Sequence, residues 1–348
     1  MIEALGTIAP GRPLRDGLDR ILQANKGALI LVGDGPDVLS ICSGGFLLDA
    51  EFTPQRLAEL AKMDGATILA GDASRIARAN VHLVPSPNVF TSETGTRHRT
   101  AERVARSIDV PVIAVSEDMS VITMYRNDDK HVLESVARLL SRANQALSTL
   151  ERYRDRLDSV TSMLTASEVE DLVSLRDVVT VLQRAEMVRR IAEEIEGYIV
   201  ELGTDGRLVL LQLEELMAGV EDERRQVVRD YRPEDAPHRA AEVVAALASL
   251  STDELLDPTV VAELLLDAKH PDLEVGLQPR GYRLLSRIPR IADSTVSAMV
   301  ARFGSLQKVM RSEAEELQVV PDVDAAAARA IKDGLTRLAE TTILDRYS

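Results

Sequence analysis

The chain has 348 residues, with 41 Lys+Arg against 56 Asp+Glu, and a formal net charge of −15. With 4 Phe, 6 Tyr and no Trp it lacks the exposed rings of a base-stacking platform for single strands, and its acidic excess argues against a general nucleic-acid coat. The single cysteine, Cys42, excludes an internal disulfide framework and a Cys-rich zinc site.

The elements follow in chain order. Leu14, Leu18, Ile21 and Leu22 sit at helical spacing over 14–24, and the apolar run Ala28 to Val32, closed by Gly33-Asp34-Gly35, reads as a buried strand. Thr53-Pro54 opens a helix to about Lys62. Strands are expected at 66–70, 81–84, 110–115 and 121–125, with a helix over 97–108. This alternation predicts an α/β domain, a mixed sheet with flanking helices, although the strand pattern alone does not separate parallel from mixed. From about Lys130 to Leu164 neither Pro nor Gly occurs and the apolar residues keep a 3.6 period, so one long helix leaves the first domain. Helices over 168–202, 207–230 and 238–249 continue an all-α spine, read as a solvated acidic spacer or assembly element, or else a dedicated site for a cation or a basic partner.

Charge divides the chain the same way. Residues 1–140 carry 15 basic and 18 acidic groups, 141–279 carry 15 and 29, and 280–348 carry 11 and 9. Three charge regimes suggest three domains, 1–140, 141–279 and 280–348. Within 280–311 seven basic residues face one acid, Asp293, a local footprint for a phosphate backbone.

Two motifs in the first domain carry chemistry. Asp64-Gly65-Ala66 precedes a strand and, alone, is a common turn. Gly95-Thr96-Arg97-His98-Arg99-Thr100-Ala101-Glu102 places two guanidiniums, an imidazole and two hydroxyls on a helix start. There the backbone N–H groups and the positive end of the helix dipole also gather, so it reads as an anion site or, failing that, a salt-bridged surface turn. No G-x-x-x-x-G-K-[ST] occurs, and Gly33-Asp34-Gly35 lacks the third glycine of a dinucleotide fingerprint.

The pair Asp64-Gly65-Ala66 and Thr96-Arg97-His98-Arg99-Thr100 resembles the two motifs of diadenylate cyclase domains, without substitution. The order of parts resembles, over the whole chain, those members of the family with a helical spine and a basic C-terminal domain. The resemblance implies condensation of two ATP into cyclic di-AMP with release of two pyrophosphates, using Mg²⁺ or Mn²⁺. It implies Asp64 as metal ligand beside the attacking ribose 3′-hydroxyl, and Gly65 and Ala66 as small residues under the nucleotide. Thr96, Arg97, His98, Arg99 and Thr100 would hold the triphosphate, with His98 a phosphate donor or a metal partner. Leu83 would offer main-chain contacts to adenine and Ser116 a hydroxyl. Because each 3′-oxygen must attack the other nucleotide, two sites must face each other; the resemblance implies an octamer of face-to-face tetramers.

Ser286-Arg287-Ile288-Pro289-Arg290-Ile291, followed by a helix to Phe303, resembles a helix-hairpin-helix unit, and Val320-Pro321-Asp322-Val323-Asp324 resembles a second. Such hairpins hold the DNA backbone by shape, and branched or junction DNA is the expected partner, with Arg287, Arg290, Arg302 and Lys308 as phosphate contacts. Arg290 and Asp322 stand where the motif places glycine, and the carboxylates of the second hairpin argue against its touching DNA. The alternatives are a small helical oligomerisation or docking module and, for the whole chain, a DNA-repair scaffold that binds nucleotide without turnover. His82, His131, His238 and His270 show no metal-ligand spacing. No apolar run reaches the roughly 18 residues of a membrane span and no basic, then apolar, leader opens the chain, so no membrane partner and a cytoplasmic location are expected.

Overall fold

A computed structural model describes residues 1–233 and 239–346, with side chains described through residue 340. His238 and the break expected up to Pro237 therefore lie outside the described residues, or largely so. The chain forms two compact units, one of Met1–Gln145 with Ile195–Leu211, the other of Ala146–Glu194 with Gln212–Ser348.

In the first unit the order is α1 (Ile2–Thr7), α2 (Pro13–Gln23), β1 (Ala28–Val32), α3 (Pro36–Ser40), β2 (Cys42–Ser43), β3 (Phe46–Glu51) and α4 (Pro54–Leu60). Next come β4 (Ala66–Leu69), β5 (Arg75–Leu83), α5 (Thr96–Ser107), β6 (Val112–Ser116), β7 (Val121–Arg126) and β8 (Asp129–Val132). The sheet order is β2-β5-β4-β1-β6-β7-β8, with β3 also on β5. β1 and β4 run parallel and the other pairs among the described residues run antiparallel, so the sheet is mixed.

Successive residues of β1 supply two cores. Ala28, Ile30 and Val32 pack with Leu14, Leu18, Ile21 and Leu57 of α2 and α4. Leu29 and Leu31 pack with Ala101, Val104 and Ala105 of α5. Coverage on both faces is why the strand reads as a continuous apolar run rather than an alternation. Thr53 caps α4 by accepting a bond from the Arg56 amide, and Pro54 takes the first helical position, as the sequence predicts.

In the first unit three strands depart from the sequence expectation. β5 starts at Arg75, six residues early, and its partner β3 is a strand that no alternation announced, since Phe46, Leu47 and Leu48 are all exposed. Residues 130–132, read as a helix start, instead pair with β7 as β8. The helix begins after Ser135, whose hydroxyl accepts from the Arg138 amide.

The helices continue as α6 (Val136–Glu170), α7 (Leu175–Leu202), a 3-10 turn at Gly203–Gly206, α8 (Arg207–Met217), α9 (Val220–Tyr231), α10 (Ala240–Ser249), α11 (Thr252–Leu256) and α12 (Pro258–Leu266). The expected single helix over 207–230 is broken at Gly219, which adopts a left-handed φ of 77° open to glycine without penalty. α6 runs on to Glu170, past the expected end at 164. The chain ends in α13 (Tyr282–Ser286), α14 (Asp293–Phe303), α15 (Leu306–Arg311), α16 (Ala314–Leu317) and α17 (Ala325–Arg346), around a core of Leu285, Ile288, Val300, Leu306, Val320 and Ile331.

Candidate functional site

Strand directions bring the motif residues to one end of the sheet. β1 and β4 start there, which places Gly27 and Asp64 to Ala66 side by side. β5 pairs Val81 with Ala66 and β6 pairs Val115 with Ala28, so both end there, at Leu83 and Ser116. Across this end, the Arg97 Nη2 atom of α5 lies 3.7 Å from the Asp64 Oδ1 atom.

Asp64 is fully exposed, at 104% of its free side-chain area. The requirement for glycine beside it is internal: a Cβ on Gly65 would lie 2.3 Å from the Asn80 carbonyl carbon and 2.6 Å from the Val81 nitrogen. Gly65 therefore lets β4 and β5 close together before any nucleotide enters. Ala66 is buried in the sheet, so only its main chain faces the end of the strand, and the Leu83 side chain is buried too. The Ser116 hydroxyl accepts from the Met119 amide at 3.3 Å, in the turn to β7.

α5 is N-capped by Gly95, and no side chain caps its first turn, so backbone N–H groups remain at the helix start. Thr96 and Arg99 are exposed, and the Thr100 hydroxyl donates to the Thr96 carbonyl at 2.9 Å. The last motif residue, Glu102, is buried and holds the preceding loop: its carboxylate accepts from the Thr91 hydroxyl and the Ser92 amide and pairs with Arg106. Arg103 and Arg106 donate to the Val89 and Phe90 carbonyls, so the loop is fastened to the same helix.

His98 is half-buried, edge-on to Tyr125 with ring centroids 6.3 Å apart. Burial, with the positive charges of Lys130 and Arg97, pushes its imidazole below the usual range, against the opposing pull of Glu93. Among the described residues no three His, Cys, Asp or Glu side chains gather as a metal cage. One exposed carboxylate beside an uncapped helix start nevertheless fits the chemistry of Mg²⁺ or Mn²⁺, ions that are held by one or two carboxylates plus substrate phosphates and water.

In the second unit the two hairpins repeat one backbone. Arg290 (φ 68°) and Asp322 (φ 65°) are both left-handed, so each adopts the conformation for which the motif uses glycine. The preceding Ile288 and Val320 are both buried and donate backbone bonds to Leu285 and Leu317, each at 3.1 Å. Arg290, Arg302 and Lys308 are exposed, whereas Arg287 gives Nη2 to Glu223 at 2.7 Å. Beneath it Arg283, 1% exposed, binds Glu168 with two arms, Thr165 at 2.7 Å and Glu223 at 2.8 Å. Asp230 accepts the amides of Gly281, Tyr282 and Arg283 at 2.7, 2.7 and 2.8 Å, capping α13 from α9. Burial and the Glu168 charge push its carboxyl up to about 7, with the three amides opposing.

Residues 15–130 match the family described as the nucleotide-binding domain of the DisA bacterial checkpoint controller, and 133–270 match the linker region of that controller. The DNA integrity scanning protein DisA of Frankia alni is 54% identical over 99% of this chain and 96% of its own. Its namesakes in Streptomyces coelicolor (52%, covering 100% and 94%) and Kineococcus radiotolerans (50%, covering 99% and 97%) align end to end as well. The chain belongs to the DisA family.

Within this DisA-family chain two sets of residues escape sequence reading. Gly27 is one: a Cβ there would lie 2.4 Å from Arg97 Nη1 and 2.8 Å from its Cζ, so the missing side chain is the seat of the guanidinium. The acids of the spine are the other. Glu168 and Glu186 are fully buried and Glu223 nearly so, each holding arginines, where the sequence suggested solvated acids. No helix among the described residues is long and apolar enough to cross a membrane.

Proposed function

We propose that the DisA-family chain condenses two ATP into cyclic di-AMP at the sheet end bearing Asp64, and that a C-terminal helix-hairpin-helix domain tunes this to DNA structure. The enzyme class, a nucleotidyltransferase of the diadenylate cyclase type, goes with the family. The observation that supports the site is the convergence of Asp64, Arg97, Gly65, Leu83 and Ser116 at one end of the sheet, beside the uncapped start of α5. The three-part division 1–140, 141–279 and 280–348 belongs to this proposal.

Arg97, Arg99, Thr96 and the first amides of α5 bind the triphosphate and take up the charge that grows on the leaving pyrophosphate. Each 3′-oxygen attacks the α-phosphorus of the facing nucleotide; the new P–O bond forms as the bond to pyrophosphate breaks. Asp64 orients the 3′-hydroxyl and accepts its hydrogen bond. A bound Mg²⁺ or Mn²⁺, held by Asp64 and the phosphates, would neutralise phosphate charge and make that hydroxyl easier to deprotonate. Main chain near Leu83 and the Ser116 hydroxyl receive the base and sugar end. Because one chain holds one half-site, two copies present their loaded edges to each other in an octamer of face-to-face tetramers.

Incubation with ATP and Mn²⁺ or Mg²⁺ should yield cyclic di-AMP and two pyrophosphates per ring, and Asp64→Asn should lower both by about a hundredfold or more. No cyclic dinucleotide from the wild-type protein sinks the reading, as does sedimentation as a monomer at active concentration. Branched DNA should lower turnover through contacts from Arg290, Arg302 and Lys308, with Arg287 turned toward Glu223. An equal rate with linear, branched or no DNA removes the coupling and leaves the cyclase.

A further inference from the structure

Behind His98 lies a polar network that no motif announces. The Glu93 Oε1 atom accepts from the Tyr125 hydroxyl at 2.9 Å and from Lys130 Nζ at 2.5 Å. Those partners stand on β7 and β8, while Glu93 belongs to the loop that leads into α5, so one carboxylate oxygen ties two strands to the helix start. Tyr125 is 1% exposed and its ring is the surface against which His98 stands edge-on. The Glu93 amide donates to the Thr91 hydroxyl, which itself donates to Glu102, so the carboxylate is held from its backbone as well. Burial opposes a charge on Glu93, but the bonds from Lys130 and Tyr125 and the Lys130 charge outweigh it and keep the carboxyl below its usual range.

The imidazole itself is asymmetric in its surroundings. His98 Nε2 is buried without a hydrogen-bond partner, while Nδ1 lies on the Gly95 side, 3.9 Å from where a Cβ on that residue would be. A buried N–H with nothing to bind costs the full desolvation of a donor. The single proton of a neutral imidazole therefore belongs on Nδ1, beside the N-cap of α5. The charged and titratable groups facing His98 are Arg97 on its own helix, Glu93 on the loop, Tyr125 on β7 and Lys130 on β8.

We infer that Glu93, braced by Tyr125 and Lys130, is a positioning residue for His98: it fixes the ring against Tyr125 as the Nδ1–H tautomer, so that one neutral donor points to the anion-binding start of α5. Its importance for turnover rests on the cyclase reading; its hold on His98 does not.

The test uses full-length protein labelled with ¹³C and ¹⁵N at its five histidines, the His98 signals assigned from His98→Gln. Nitrogen shifts should report the Nδ1–H tautomer in the wild type. Glu93→Gln keeps an acceptor for Tyr125 and Lys130 but removes the negative charge, so His98 should titrate at lower pH than in the wild type. Lys130→Met removes a positive charge and should move the titration the opposite way, and it carries the test alone if Glu93→Gln does not fold. In the cyclase assay Glu93→Gln should lower kcat between about tenfold and a hundredfold, with KM for ATP within about twofold. An Nε2–H tautomer, or shifts absent or in the same direction in both variants, would overturn the inference. If the wild-type protein makes no cyclic dinucleotide, the cyclase reading falls while the histidine spectra still decide this one.

Discussion

Two arginine–carboxylate clusters use the same chemistry to opposite ends. At the sheet end of the first unit, Arg97 and Asp64 stand 3.7 Å apart, the acid wholly in solvent. In the second unit, Arg283 and Glu168, 1% and 0% exposed, meet through two arms and share Thr165, Tyr231 and Glu223 with the rest of a closed network. An exposed pair at that spacing contributes little to stability and leaves both partners available to a ligand. A buried pair whose donors are all engaged leaves nothing for a ligand, and removing one partner strands the other in apolar surroundings. Burial, more than residue type, therefore separates groups left open to a ligand from groups that hold the fold.

The sharpest way to break this contrast is one substitution in each cluster. Arg283→Met should cost about 3–5 kcal/mol in the second unit, because buried Glu168 loses its counter-ion in place while Glu223 keeps only Arg287; thermal or urea unfolding measures it. Asp64→Asn should leave the melting temperature unchanged and reduce cyclisation of ATP by about 10²–10³-fold or more, as removal of a transition-state contact does. A stable Arg283→Met protein, or an Asp64→Asn protein that melts early, would erase the distinction. Next in size is Gly27→Ala. The backbone of Gly27 is not left-handed, and an alanine Cβ would clash with the Arg97 guanidinium while sitting tightly, at 3.3 Å, against the Val115 carbonyl oxygen. A loss of about tenfold to a hundredfold in kcat/KM for ATP, with normal unfolding, is expected for a catalytic group moved by roughly an ångström.

A smaller effect comes from pH. His131 on β8 bonds Glu201 near the end of α7 at 2.9 Å within the first unit; that bond, and the Glu201 charge, raise the imidazole above its usual value despite burial. Since the folded state binds the proton more tightly, the pair stabilises fully below about pH 6.5 and its contribution is lost as pH rises through the raised folded value. The melting temperature of the wild type should fall over that window by more than that of Glu201→Gln, and parallel curves would show that the pair contributes nothing.

Much of the first unit can be read from the chain, because β1, β4 and β6 are covered on both faces and appear as apolar runs bounded by turns. β3 hides because its Phe46, Leu47 and Leu48 are exposed, and β8 because Val132 keeps the helical period of Val136 and Leu139 and no Pro or Gly marks the break, a pattern that tertiary pairing overrides. At the site, the motif spacing exposes Asp64 and Arg97 to His98, since both motifs are contiguous. Gly27 and Glu93 act through space on residues 70 and 5 positions away and carry no local pattern. The same holds for the network of the second unit: Glu168 and Arg283 stand 115 residues apart, so the acid reads as one more charge on a polar helix.

The two C-terminal turns give the finest test, since their left-handed residues share one backbone conformation and carry opposite charges. Arg290 and Asp322 both sit at left-handed φ, a region that costs an L residue roughly 1 kcal/mol and glycine almost nothing. Replacing either by glycine should relieve that strain, although the more mobile unfolded chain offsets part of it, leaving a net gain of at most about 0.5–1 kcal/mol. The two variants should then part company with DNA. Arg290→Gly removes a positive charge from the hairpin, so binding to branched duplex should weaken and the slope of log K against log salt should fall by about one. Asp322→Gly removes a negative charge beside Asp324 and should strengthen binding slightly, without adding a salt-dependent contact. If both variants change affinity alike, the hairpins bind DNA as equals, and the acid at Asp322 is no barrier.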